Sequence, residues 1–139
     1  MKVSTKGRYA LRLMLDVAEH QSDGAVTVKD VAKRQDISEK YLERIVNSLV
    51  KSGLLISQRG STGGYKLVKN PEEYTVGSIL AETENSIAPV ACYGDNSEKC
   101  GRCDACVTEQ FWKGLDKVVN EYLQSVTLKD LLLKTCKGV

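Results

Sequence analysis

ISEKYLERIVNSLVKSGLLISQRGSTGGYKLV, residues 37–68, is the stretch on which the fold turns. Ser38 reads as a helix N-cap. Beyond it Leu42, Ile45, Val46 and Leu49 recur at the i, i+3, i+4, i+7 spacing of an amphipathic helix, and Gly53 sits where a C′ glycine stops one. The pattern then becomes strand-like over residues 54–59. Gly60-Ser61-Thr62-Gly63-Gly64 is a glycine-rich turn, and residues 65–68 form the returning strand. A capped helix running into a glycine-tipped hairpin predicts the last helix and the wing of a winged helix-turn-helix.

Working upstream, Thr27 is an N-cap with Asp30 in the capping-box position, and Val28, Val31 and Ala32 give a short apolar face. Thr5 is expected to cap a first helix that ends near His20, with Leu11, Met14, Leu15 and Ala18 as its stripe. His20, the only histidine, reads as a cation at that helix C-terminus. Downstream, Asn70-Pro71 closes the wing and Thr75 caps a short helix over residues 76–84. Residues 85–105 carry no period, and the helical spacing returns from Val107 to Ser125 before a short apolar tail at 128–133. The expected fold is mainly α: a winged helix-turn-helix domain with a small β-hairpin wing (1–70), then a cysteine-loop sensor segment and a long C-terminal dimerisation helix (71–139).

Composition is compatible with this. Of the 139 residues, 42% are hydrophobic and 27% charged, which argues against global disorder, and 6% aromatic content implies an aliphatic core. The longest charge-free stretch, residues 85–94, contains Pro89 and is too short to span a bilayer. Arg12 and Asp16 interrupt the apolar residues near the N-terminus, so no signal peptide is expected and the chain reads as cytoplasmic, without a membrane partner. The net charge of +2 conceals an asymmetry. Residues 1–70 hold 13 Lys+Arg against 7 Asp+Glu, whereas residues 71–139 hold 7 against 11. A basic first half invites a polyanion. With the apolar stripe of 38–52 turned inward, Glu39, Lys40, Glu43, Arg44 and Asn47 remain on the outer face. There Arg suits guanine, Glu suits cytosine N4 and Asn suits adenine. Arg59 near the wing tip and Lys66 on the return strand suit a phosphate or a narrow minor groove.

Cys92, Cys100, Cys103 and Cys106 fall within fifteen residues, spaced C-x7-C-x2-C-x2-C, and Cys136 stands apart. Free cysteine prefers burial as a small hydrophobe. Four of them in a stretch rich in Gly, Asp, Asn and Lys read instead as thiolate donors for a soft centre. A structural zinc site favours paired C-x2-C knuckles, so an iron–sulfur centre is the better reading.

These residues resemble a known family. Ser4-Thr5-Lys6-Gly7-Arg8-Tyr9-Ala10-Leu11 with Met14-Leu15-Asp16-Val17-Ala18 looks like its first helix. Ile37-Ser38-Glu39-Lys40-Tyr41-Leu42-Glu43 looks like the start of its recognition helix, and Gly53-Leu54-Leu55 with Arg59-Gly60-Ser61-Thr62-Gly63-Gly64-Tyr65 like its wing. The family is that of the bacterial iron–sulfur cluster regulator IscR, the nitric-oxide sensor NsrR and the cysteine-metabolism regulator CymR. The resemblance covers nearly the whole chain and implies a homodimeric transcription regulator bound to a double-stranded DNA operator. It implies Ser38, Lys40, Tyr41, Glu43, Arg44, Arg59 and Lys66 as the DNA-binding set, with Glu43 reading a base. It also implies Cys92, Cys100 and Cys106 as ligands of an iron–sulfur cluster, two-iron rather than four-iron, with cluster-assembly machinery as a candidate partner. The family's histidine ligand is replaced by Glu109, and the aspartate used by NsrR-like members is replaced by Arg8. The fourth ligand lies between Glu109, favoured by position, and Cys103, favoured by softness.

The stripe Val107, Phe111, Leu115, Val118 and Tyr122 is too long to bury within so small a domain and is expected to form the dimer contact. Two rival readings are a metal-free thiol/disulfide switch on the same DNA-binding fold and a small iron–sulfur electron carrier or cluster-delivery protein. The second leaves the basic winged helix unexplained. No nucleophile–base pair, phosphate loop or histidine-based metal site appears, so no enzyme is expected.

Overall fold

Ser4 starts the first helix, α1 (Thr5–His20). Its backbone is extended and its hydroxyl accepts from the Gly7 amide at 3.1 Å while donating to Glu84 Oε1 at 2.6 Å. The cap therefore lies one residue before the expected Thr5, whose hydroxyl instead accepts from Arg8. The structure is a computed structural model that describes residues 2–94 and 100–136, with Cys103 described by its backbone alone.

The buried face of α1 is Ala10, Leu13, Met14 and Val17, together with Asp16. Of the expected stripe, Met14 is fully buried, while Leu11, Leu15 and Ala18 are half-buried and pack against the edge of the same core, so the centre of the buried face lies one step further around the helix. The reason is that α1 is a central helix, packed against helices from both halves of the chain, and it is apolar on two sides. Helix α2 (Val28–Gln35) is capped by Thr27, whose hydroxyl accepts from the Asp30 amide at 3.1 Å and donates to Asp30 Oδ2 at 2.8 Å. The expected capping box is half-formed, since the Asp30 carboxylate takes the Thr27 hydroxyl and not the Thr27 amide. Helix α3 (Glu39–Lys51) is capped by Ser38 and buries the four expected residues, Leu42, Ile45, Val46 and Leu49. Gly53 follows with φ +77°, a left-handed conformation that side chains other than glycine adopt at a cost.

Strands β1 (Leu55–Gln58) and β2 (Gly64–Leu67) pair antiparallel, with Leu55 opposite Leu67 and Gln58 opposite Gly64. Val26, just before α2, adds a bridge to Tyr65, with mutual amide–carbonyl bonds of 2.9 and 2.8 Å. The wing is thereby tied to the helix-turn-helix that precedes it.

The second half of the chain is built into the same core. Helix α4 (Val76–Ala81) is capped by Thr75 and ends three residues before the expected stop. Tyr74, Ile79 and Leu128 join the core, the last from helix α6 (Leu128–Leu132). The buried Tyr74 hydroxyl donates to the Leu54 carbonyl at 2.9 Å and accepts from the Val68 and Lys69 amides at 2.9 and 3.0 Å. One phenol thus closes both legs of the wing at its base. Helix α5 (Glu109–Ser125) lies against α4 and buries none of its own side chains fully. It begins at Glu109 rather than Val107: Val107 is 98% exposed and has no apolar surface to pack on.

Candidate nucleic-acid interface and cysteine site

In α3, Lys40, Glu43, Arg44 and Asn47 are all exposed, and their i, i+3, i+4, i+7 spacing puts them on one face, opposite the buried stripe. Ser38 is exposed at the helix start, where its hydroxyl is engaged in capping. Tyr41 is half-buried, edge-to-face with Tyr9 at 5.7 Å, and Arg12 lies over the Tyr9 ring at 5.4 Å. Arg59 is exposed in the turn that follows β1, and Lys66 is half-buried opposite Ile56. Helix and wing therefore offer two separated sets of polar side chains: a patterned one that carries both signs of charge, and a purely basic one.

The angle between α1 and α2 is held by an ion pair that sequence reading passed over. Asp16, with no exposed side-chain surface, accepts from the Arg34 guanidinium at 2.6–3.2 Å and from Gln35 Nε2 at 2.9 Å, with His20 Nδ1 at 3.6 Å. Burial pushes the Asp16 carboxyl up. The hydrogen bonds of Arg34 and Gln35 and the charges of Arg34 and His20 outweigh it and hold the carboxyl below its ordinary value. Arg12 donates to the carbonyl and side-chain oxygens of Gln35, so the end of α2 is gripped from two positions on α1. The signal available in sequence was an acidic residue set between Met14 and Val17.

The cysteines gather around one cavity. A space of about 280 Å³ is lined by Cys92, Tyr93, Cys100, Asp104, Cys106, Glu109 and Trp112. Three of the four clustered cysteines and the expected carboxylate thus meet at one place. Cys92 is carried by a short 3-10 turn at Ala91–Tyr93 and Glu109 by the first turn of α5, while Cys100 and Cys106 lie on either side of a second 3-10 turn at Cys103–Ala105. The Cys103 side chain and residues 95–99 lie outside the described residues.

Two hydrogen-bond chains shape the cavity wall. Trp112 Nε1, which can only donate, gives its proton to Thr108 Oγ1 at 3.2 Å, leaving the Thr108 hydroxyl proton for Cys106 Sγ at 3.4 Å. Bonds from the Thr108 hydroxyl and amide, then from the Glu109 amide, hold the Cys106 thiol below its ordinary value, against the opposing charge of Glu109. Separately, the Tyr93 hydroxyl donates to Glu109 Oε1 at 2.8 Å. None of Tyr93, Thr108 and Trp112 was singled out in sequence, although a tyrosine beside Cys92 and the chain's one tryptophan at i+3 from Glu109 were visible.

Thiolate and carboxylate donors around one cavity fit an iron–sulfur centre in kind. Among the described residues no three Cys, His, Asp or Glu side chains are grouped closely enough to hold a metal ion. Ligation therefore requires these donors to draw together.

On α5, Phe111 is 63% exposed, Val118 56% and Tyr122 40%, with Leu115 half-buried beside them. No helix among the described residues is long and apolar enough to cross a membrane.

Residues 3–134 match the family Rrf2, described as an iron-dependent transcriptional regulator. The chain is 39% identical over 132 residues to the HTH-type transcriptional regulator IscR of Pectobacterium atrosepticum, covering 95% of this chain and 79% of that protein. Among solved structures it is similar to CymR, the global cysteine regulator of B. subtilis, with a TM-score of 0.80 and 36% identity over 97% of this chain and 98% of that one. It is also similar to T. potens IscR, with a TM-score of 0.78 and 38% identity over 96% and 88% of the two chains.

Proposed function

The chain belongs to the Rrf2 family of DNA-binding transcriptional regulators, and from that premise we propose that it binds its operator as a homodimer and senses iron–sulfur, oxidant or nitric-oxide status through residues 92–109. The family is one of transcriptional regulators and not of enzymes. In this reading residues 1–70 contact DNA and residues 71–139 carry the sensor and the dimer contact, a division of labour rather than of folding.

Cys92, Cys100 and Cys106 supply three thiolates, and Glu109 the fourth donor, to a two-iron cluster received from the cluster-assembly machinery. The carrying observation is that these four residues line a single cavity. When bound, such a centre supplies oxidant- and nitric-oxide-sensitive iron–thiolate bonds. The chain's own contribution is conformational. Drawing the thiols inward brings the turn at 103–105 onto the first turn of α5 and the 91–93 turn already joined to it, and α5 passes that change to the partner subunit. A bound group shifts this equilibrium only through contacts that differ between the two arrangements.

On the DNA side, Glu43 reads a base with Lys40 and Arg44 beside it, while Ser38 and Tyr41 fix the start of α3. Arg59 and Lys66 hold the backbone or minor groove.

The test is anaerobic purification followed by absorbance, iron and sulfide analysis, and operator binding with and without the chromophore. Cys92→Ala, Cys100→Ala and Cys106→Ala each abolish the chromophore. Glu109→Ala shifts its spectrum and Cys103→Ala retains it. A colourless, iron-free Cys103→Ala protein overturns the ligand set in favour of four cysteines.

A metal-free thiol switch is the second reading, favoured by the exposure of Cys92, Cys100 and Cys106 and by the lowered Cys106 thiol. Wild-type protein that is colourless when prepared anaerobically, yet loses operator binding reversibly on oxidation, selects it.

A further inference from the structure

The turn that carries Cys92 and the helix that starts at Glu109 are joined across 16 residues by the Tyr93–Glu109 hydrogen bond. Tyr93 is half-buried, and it lines two spaces at once. One is the cysteine cavity. The other is a polar cavity of about 260 Å³ on the α4–α5 seam, with Glu84, Asp116 and Asn120 in its lining. Tyr93 is the residue the two linings share, and its hydroxyl reaches the carboxylate that lines the cysteine cavity.

From this juxtaposition we propose that Tyr93 is the positioning residue of the cysteine site: it orients Glu109 and fixes the Cys92 turn against α5 before any group is bound. The proposal rests on the reading of this cavity as a metal-thiolate site. A carboxylate has two oxygens. With Oε1 held by the phenol, Oε2 keeps its lone pairs for a ligand, and a long side chain that would otherwise sample many rotamers is held in one. Hydrogen bonds from neighbouring groups to ligating side chains do this at metal sites generally, and their loss costs about 10- to 100-fold in metal affinity. The same bond sets where Cys92 starts, because Cys92 and Tyr93 share one 3-10 turn.

The probe is divalent cobalt added anaerobically to the full, metal-free chain and followed by its thiolate-to-metal absorbance. Tyr93→Phe keeps the ring and removes one hydroxyl, and about tenfold weaker cobalt binding is expected. In a Glu109→Ala background the same substitution has less than about a twofold further effect, because Tyr93 acts through Glu109. Equal losses in both backgrounds overturn the proposal. A second measurement needs no metal. Trp112, the only tryptophan, lines the cavity, and its quenching by acrylamide rises equally in Tyr93→Phe and Glu109→Ala. It stays at the wild-type level in Glu109→Gln, whose amide oxygen still accepts from Tyr93. Quenching of Tyr93→Phe that matches wild type overturns the proposal. Wild-type protein without a cobalt–thiolate band overturns the metal-site reading, and the quenching series then still decides the role of Tyr93.

Discussion

Asp16 is a charge placed in the core of the helix that everything else leans on. Its folded carboxyl lies below the ordinary value, so it binds its proton less readily folded than unfolded. The stabilisation is fully present above the unfolded pKa of about 3.9 and is lost as pH falls through the folded value. Asp16→Asn is expected to cost about 2 kcal/mol at pH 7, since Arg34 is partly exposed and recovers some solvation. Denaturant titrations of both proteins from pH 7 downward check this: the gap persists to about pH 4 and closes below it. A gap that widens in acid contradicts the ion-pair account. On the DNA side, Glu43→Ala is expected to change the consensus recovered from random DNA. Arg59→Ala keeps the consensus and weakens binding to most sequences, because phosphate and minor-groove contacts carry little base information. An unchanged consensus for Glu43→Ala removes its base-reading role. Single residues were legible where chemistry is local. The cysteines announced themselves by spacing, whereas the Asp16 partners lie 18 and 19 residues away and become neighbours only when α1 and α2 cross.

The wing shows how little of an element its own residues decide. Gly64 has φ +152°, and a Cβ there would lie 2.6 Å from the Val26 carbonyl oxygen. Gly64→Ala is therefore expected to break the Val26–Tyr65 bridge and cost about 2–3 kcal/mol, read by thermal or urea unfolding. DNA affinity falls with it, because Arg59 loses its fixed platform. A Gly64→Ala protein as stable as wild type would show that the bridge contributes nothing. The sequence pattern located α3 fully and the hairpin to within a residue, since period, cap and glycine stop agree there. It found one flank of the buried face of α1, because a central helix is apolar on two sides and a one-stripe reading selects one of them. It began α5 two residues early because Val107 has the right spacing but no neighbour to bury it.

At the scale of the molecule, α5 offers Phe111, Val118 and Tyr122 to solvent in the protomer, which makes the dimer testable without disturbing the fold. Val118→Glu and Phe111→Glu are expected to leave helicity unchanged, to give monomers by light scattering, and to weaken operator binding by about a hundredfold as the second half-site is lost. Stable wild-type-like dimers from both variants would place the dimer contact elsewhere. A basic half and a cysteine-bearing half are readable from charge and cysteine placement, but not how tightly they share a core. Tyr74, seven residues beyond the end of β2, spends its one buried hydroxyl on the three backbone groups where the hairpin begins and ends. Modularity is what this forbids. Residues 1–70 expressed alone would start with an open hairpin base and a core missing Tyr74, Ile79 and Leu128. That fragment is expected not to fold by itself, and circular dichroism of residues 1–70 expressed alone checks this. A swap between relatives must instead carry residues 71–81 and 126–132 along with the wing.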